Sequence, residues 1–283
     1  MNKLILKSIT LFVVLSLCVV GATNAKEWKT LRVATEGAYP PWNSTEPSGK
    51  LIGFDMDVID EVCKRVGLKY ELSAQAWKGI IPGLTAGKYD AIIAGMQITA
   101  KRLEVIDFAG PYAKTPGSFA VLKKSPLAKY KSTIDLVTLN EISADEQKTI
   151  DAMRELLKGK VIGVQTTTIH SDFLDTYFKT VAEIRKYDTQ ENVLLDLSTG
   201  RIDAAEASLS YWIPIMAKDQ GKDIALLGPA WLGDIFGLGN GIGVRKDDQE
   251  LKDILNRGIK QIIEDGTLKR LAVKWFGFDN PPK

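Results

Sequence analysis

Residues 84–94 read LTAGKYDAIIA, and residues 197–207 read LSTGRIDAAEA. Each phrase runs from a helix end through a glycine, a basic residue and an Asp-Ala pair into a strand. Gly87 and Gly200 supply the left-handed residue that stops a helix, and the apolar residues beyond predict the strand. The echo recurs on either side. Residues 31–37 (LRVATEG) and 161–167 (VIGVQTT) each predict a short strand entering a polar turn, and Gly110-Pro111 and Gly228-Pro229 each precede a strand with a charged end, FAVLKK and IGVRKD. Three matched phrases in one order predict two similar α/β units, each a lobe on a largely parallel sheet flanked by helices. In such sheets ligands bind beyond the carboxyl ends of the strands.

Between the units, residues 125–158 change to a polar character, and SADEQKTIDAMRELLKG (143–159) predicts a surface helix capped by Ser143 that decorates the second lobe. After the second unit, Leu251, Ile254, Leu255, Ile259, Ile262 and Ile263 recur at helical spacing, followed by a glycine break and another amphipathic helix. The first lobe is the surface expected to receive both.

The first 25 residues have the layout of a cleaved export signal: Lys3 and Lys7, an apolar run from Ile9 to Val20, then small residues ending at Ala25. The run is about a dozen residues, short of the roughly 20 a membrane-spanning helix needs. A lipidated Cys18 is disfavoured by the bulky Leu17 before it. Cleavage near Lys26 leaves Cys63 as the sole cysteine, so no intrachain disulfide is expected. Loss of the leader's two lysines, and of no acid, turns the formal charge of +2 into zero. That balance gives no reason to expect nucleic acid or an anionic membrane surface as a partner.

Chemistry is thinly supplied. The chain has one histidine, His170, and no phosphate-binding glycine loop, so His-based triads, histidine-rich metal sites and nucleotide cofactors are not expected. His170 reads as a polar residue near a helix start. The turns after the strands are richer: ATEGAYPPWN (34–43) places Glu36, Tyr39 and Trp42 close together, and AQAWKGIIPGL (74–84) puts Trp77 just before a helix. Tyr39 and Trp77 fall where strand ends face a cleft, and flat rings can sandwich part of a small solute. Arg102 follows a strand closely, near Gly95 and Thr99, and its planar donor pair matches a carboxylate.

These stretches resemble the polar amino-acid and opine family of periplasmic solute-binding proteins, the receptors of ABC importers. The phrases G-x-x-P-G-L-x-x-G-K-Y-D (79–90) and I-T-x-x-R (98–102) are specific together, and the likeness runs from LRVATEGAYPPWN (31–43) to the C-terminal KWFG (274–277). The resemblance implies the two-lobed type II periplasmic-binding-protein fold with two hinge crossovers. Residues 26–115 with 229–283 would form the first lobe, and residues 116–228 the second. It implies that Arg102 grips the solute's α-carboxylate, helped by Gly95 and Thr168. Tyr39 and Trp77 would sandwich the solute's side chain, Glu36 would meet a distal cation, and Gln165 would begin the second-lobe turn that closes on the solute.

Two positions depart from the family pattern: Ser208 stands where an aspartate usually takes the α-ammonium, and Gln97 where a serine is usual. Glu206, two residues before Ser208 on the same face of an extended strand, is a candidate substitute for the missing acid. Opine receptors share ATEG-x-Y-x-P-W-N and GVQ and also lack that aspartate, which suits a solute whose nitrogen is a secondary amine with a second acid arm. Relatives often pair a cysteine like Cys63 with one seven residues on, where this chain has Tyr70. The expected partners are a small amino acid or opine and an inner-membrane ABC permease with its ATPase, the protein being a periplasmic monomer without cofactor. Dehydratases acting on prephenate or arogenate share the fold, and Glu36, Glu206 or His170 would be their nominal acid or base, though no pairing among these is visible in the sequence. A sensor domain is disfavoured, because no membrane-spanning or signalling segment follows Lys283.

Overall fold

The computed structural model describes residues 28–282; the export signal expected over residues 1–25, with Cys18, lies outside them. The chain begins with β1 (Thr30–Thr35) and a small hairpin sheet of β2 (Ala38–Tyr39), β3 (Asn43–Thr45) and β4 (Leu51–Ile52). Helix α1 (Phe54–Val66) follows, burying Phe54, Val58, Ile59, Val62 and Cys63 at helical spacing and stopping at left-handed Gly67. Then come β5 (Lys69–Ala74), α2 (Trp77–Thr85), β6 (Ala91–Ile92), the short α3 (Ala100–Leu103) and β7 (Asp107–Ala113).

The second unit comprises β8 (Gly117–Leu122), β9 (Leu136–Thr138), α4 (Ala144–Leu156), β10 (Val161–Gln165), α5 (Ile169–Tyr177), β11 (Glu183–Tyr187), α6 (Gln190–Ser198), β12 (Ala204–Ser208), α7 (Leu209–Met216) and β13 (Ile224–Leu232). The chain then returns through β14 (Asn240–Val244) to α8 (Gln249–Glu264) and α9 (Thr267–Phe276).

Two large sheets result, ordered β5-β1-β6-β14-β7 and β11-β10-β12-β8-β13-β9. Each is parallel except for one strand, β14 in the first and β8 in the second. Both odd strands arrive from the other unit: β7 leads to β8 across residues 114–116, and β13 leads to β14 across 233–239. The echo therefore marks two interlocked sheets, each completed by a strand from the other half of the chain.

Helices cover both faces of each sheet. Leu31 and Val33 of β1 face α1, α8 and α9, whereas Ala34 faces α2, with Ile80 and Leu84. In the second sheet one face packs Ile150, Met153, Ile169 and Phe173, and the other Val193, Leu197, Tyr211 and Trp212. The C-terminal helices bury Leu251, Leu255, Ile259, Ile262 and Phe276 against the first sheet, as expected, while Ile263 is left exposed. Ser143 caps α4 in a reciprocal box with Glu146. Far from being mere decoration, α4 contributes Ile150 and Met153 to the second core.

The break expected after Gly228 falls inside β13. Ala230, Trp231 and Leu232 pair with Leu136, Val137 and Thr138 of the second sheet. The Gly-Pro pair marks a bulge, with the register against β8 shifting between Leu227 and Trp231, and the strand resumes beyond it. Gly110-Pro111 interrupts β7 in the same way.

Candidate functional site

The carboxyl ends of the two sheets face each other, and the turns beyond them form one wall each of a cavity. Glu36 follows β1, Tyr39 lies in the hairpin, Trp77 opens α2, and Ala94, Gly95 and Gln97 follow β6. From the second unit come Gln165 at the end of β10, Thr168 and His170 around the start of α5, and Gln190 opening α6. The cavity leaves room for water-sized groups over only about 20 Å3, roughly one water molecule. It is drawn shut by bonds between the units. Gln165 Nε2 donates to Glu36 Oε1 at 2.5 Å, Trp77 Nε1 donates to the Thr167 carbonyl at 3.2 Å, Tyr39 Oη and Ser208 Oγ lie 2.8 Å apart, and Lys78 pairs with Asp188.

Buried polar groups hold the first wall. Asn43 Oδ1 accepts from the Gly37 amide, and Asn43 Nδ2 donates to Asp55, which also receives the Tyr112 hydroxyl. Burial pushes the Asp55 carboxyl up to about 7, against the pull of Tyr112, Asn43 and the Gly95 amide. The Gly95 carbonyl accepts from Asn240 Nδ2 at 2.6 Å. Gly95 is thus clamped from both sides, at a φ of 57° and with the Trp42 ring where a side chain would stand. The corresponding turn of the second unit is strained: Thr167 has φ 57°, where its counterpart Gly37 has 75°.

Of the expected site residues, Glu36, Tyr39, Trp77, Gly95, Gln97, Gln165 and Thr168 meet in this cavity. Burial, the dominant influence, raises the Glu36 carboxyl to about 7, and the Gln165 bond works the other way. Tyr39 presents one face, since the other stacks on Tyr211 at 5.1 Å. The Thr168 hydroxyl is engaged in capping α5, accepting from the Ser171 amide and donating to the Gln165 carbonyl. Trp42 belongs to the core, packed against Phe54 and Phe276.

Three expected residues stand off the cavity wall. Arg102 lines an adjoining cavity of about 360 Å3 with Thr99, Thr166 and Thr167. Its Nη1 donates to the Gln97 carbonyl at 2.8 Å and its guanidinium lies over the Trp77 ring. Burial lowers it to about 10. Ser208 is sealed between Tyr39 and Ser210. Glu206, offered above as a second-lobe acid for a solute's ammonium, is fully buried behind His170, whose Nδ1 comes within 2.6 Å of Glu206 Oε2. The approach is off the line of a hydrogen bond, and neither Glu206 oxygen has a well-aligned partner. Burial raises the Glu206 carboxyl, and His170 works to lower it. The acid–base pairing that the sequence did not reveal is therefore present, formed across α5 and β12.

Gln190 was missed, although the echo carries it. Trp77 lies seven residues before Leu84 and opens α2; Gln190 lies seven residues before Leu197 and opens α6. Cys63 is a free, buried thiol, and Tyr70 donates to Asp60. Among the described residues no cluster of His, Cys, Asp and Glu could hold a metal ion.

The model of the family described as bacterial extracellular solute-binding proteins, family 3, matches residues 31–278. The octopine-binding periplasmic protein of Rhizobium meliloti is 39% identical, the alignment covering 94% of this chain and 97% of that one. The histidine-binding periplasmic protein of Escherichia coli K12 is 32% identical over 99% of this chain and 98% of its own. Among solved structures, a periplasmic His/Glu/Gln/Arg/opine family-binding protein from Silicibacter pomeroyi, in complex with lysine, is similar with a TM-score of 0.70. That protein is 33% identical, with 88% of this chain and 98% of that one covered.

Proposed function

Because this chain belongs to the bacterial extracellular solute-binding proteins of family 3, we propose that it is the periplasmic receptor of an ABC importer, closing two lobes over an opine or a basic amino acid. One observation carries the reading: the cavity lies between the carboxyl ends of two sheets and draws its wall from both. The first lobe comprises residues 26–115 and the chain from the second crossover to 283. That crossover is taken at 233–239 rather than at 228, because β13 runs to Leu232. The second lobe is the chain between.

Arg102 takes the solute's α-carboxylate once the lobes part, Glu36 takes a distal cation, and Tyr39 and Trp77 flank the aliphatic portion. A neutral Ser208 in place of an acid, and the R. meliloti relative's name, favour the opine. The relatives are named as binding proteins, so the His170–Glu206 pair is read as part of recognition and the protein as no enzyme. The partners are the solute and an inner-membrane permease with its ATPase. The receptor works as an exported monomer without cofactor.

A thermal-shift screen of octopine, nopaline, arginine, lysine and histidine tests the reading, since a solute bound only by the folded state raises the unfolding midpoint. Octopine and nopaline are expected to give the largest rises, and prephenate to be returned unchanged. No shift with any of the five, or conversion of prephenate, overturns it.

A further inference from the structure

The turn that carries much of the first-lobe wall lies against the strand returning from the second crossover. The Gly241 amide donates to the Met96 carbonyl at 2.9 Å, the Ile98 amide to the Gly239 carbonyl at 2.7 Å and the Leu238 amide to the Ile98 carbonyl at 2.9 Å, with Gln97 opposite Asn240. Gly237 comes so close that a Cβ there would lie 2.3 Å from the Ile98 carbonyl oxygen. Cavity wall and hinge strand thus form one hydrogen-bonded ribbon.

Asn240 adds a side-chain bond to that ribbon. It is fully buried, opens β14 opposite Ala113 at the end of β7, and donates from Nδ2 to the Gly95 carbonyl at 2.6 Å. Its Oδ1 has no hydrogen-bond partner. A buried acceptor left unmade costs stability, so folding alone gives little reason for an amide here. What the amide holds is a glycine at φ 57°, whose peptide turns over against less steric resistance than that of any other residue. Turning it would displace Gln97, which lines the cavity, and the Gln97 carbonyl to which Arg102 Nη1 donates at 2.8 Å.

We propose that Asn240 is a positioning residue for the solute: its amide fixes the Gly95 peptide, and through it Gln97 and Arg102, and ties that turn to the second crossover. The inference rests on reading the cleft as the solute site. Asn240 itself stands behind the residues that line the cavity. Because the ribbon ends in the crossover, rotation of the lobes about 233–239 bears on the same turn that seats the solute.

Asn240→Asp keeps the shape of the side chain and makes the donor depend on pH. Burial raises such a carboxyl above the ordinary aspartate range, so at low pH it is protonated and donates to the Gly95 carbonyl. As pH rises it ionises and can only accept. Affinities for octopine and for arginine are measured by calorimetry on the mature chain at about pH 5 and about pH 8. Each is divided by the wild-type value at the same pH, because Glu36, Asp55 and Tyr112 on the far side of Gly95, and the solutes, are common to both proteins. Asn240→Asp is expected to bind within about 3-fold of wild type at the lower pH and roughly 10-fold or more below it at the higher. Asn240→Ala, which cannot donate at any pH, is expected to lose roughly 10-fold at both, with a melting curve that shows a folded protein. Lowered melting midpoints with affinities within about 3-fold of wild type in both variants, or an equal loss at both pH values in Asn240→Asp, overturn the proposal while leaving the receptor reading intact. Binding of neither solute by wild type sinks both.

Discussion

Arg102 is a buried cation that nothing in its own fold fully neutralises. Its guanidinium has the Gln97 carbonyl and the face of Trp77, and among the described residues no carboxylate bridges to it. Burial lowers it to about 10, so the fold disfavours the charged form. A charge kept under such conditions suits an anionic solute better than it suits stability. Arg102→Met, which keeps the aliphatic contact with Trp77, is therefore expected to raise the unfolding midpoint of the solute-free protein. The same variant should lose roughly 2–5 kcal/mol of solute affinity, a factor of at least about 30. Calorimetry and a melting curve on one preparation check both; unchanged affinity would make Arg102 a structural residue.

At the scale of elements, α8 shows how packing overrides local preference. Gly258 sits in the middle of that helix, where a Gly→Ala change would ordinarily gain about 1 kcal/mol of helix propensity. Here α8 crosses α1 so closely that a Cβ at 258 would stand 2.8 Å from Val62 Cγ1 and 2.9 Å from the Val62 carbonyl oxygen. The backbone atom cannot swing aside as a side chain can, and overpacking typically costs 1–3 kcal/mol. Gly258→Ala is thus expected to lower stability by up to about 2 kcal/mol net, read from urea unfolding. A gain would mean that the two helices are free to separate. The helical spacing of Leu251, Leu255, Ile259 and Ile262 was legible in the sequence, but the need for a glycine among them was not, because it arises from a helix nearly two hundred positions away.

For the whole molecule, the consequential feature is closure. With room for about one water, the central cavity admits an opine only if contacts between the units part, among them Gln165–Glu36, Trp77–Thr167, Tyr39–Ser208 and Lys78–Asp188. All four lie across the cleft, whereas the covalent connections are the two crossovers at 114–116 and 233–239. Opening is then a rotation of one sheet and its helices about those strands, leaving each core intact. Small-angle scattering of solute-free protein is expected to give a larger radius of gyration than the closed geometry, contracting on addition of octopine at saturation. A radius equal to the closed value, unmoved by solute, would mark a rigid cleft.

The sequence by itself determined the two-unit α/β plan, because glycine stops, Asp-Ala phrases and apolar runs are local signals repeated in order. Most of the first wall was legible too: Glu36, Tyr39, Trp77, Gly95 and Gln97 all come within about five residues after the end of β1, β5 or β6, where chain position brings them to the cleft end of the sheet. Tertiary structure alone decided what each charge meets. Ser208 holds the expected position and Glu206 shares its strand face, yet the one is sealed under Tyr39 and the other behind His170, since what a strand residue meets depends on partners more than thirty residues away. It alone also showed the Gly228-Pro229 pair to be a bulge within β13, because whether a strand resumes beyond an interruption depends on the neighbour it finds there, here β9.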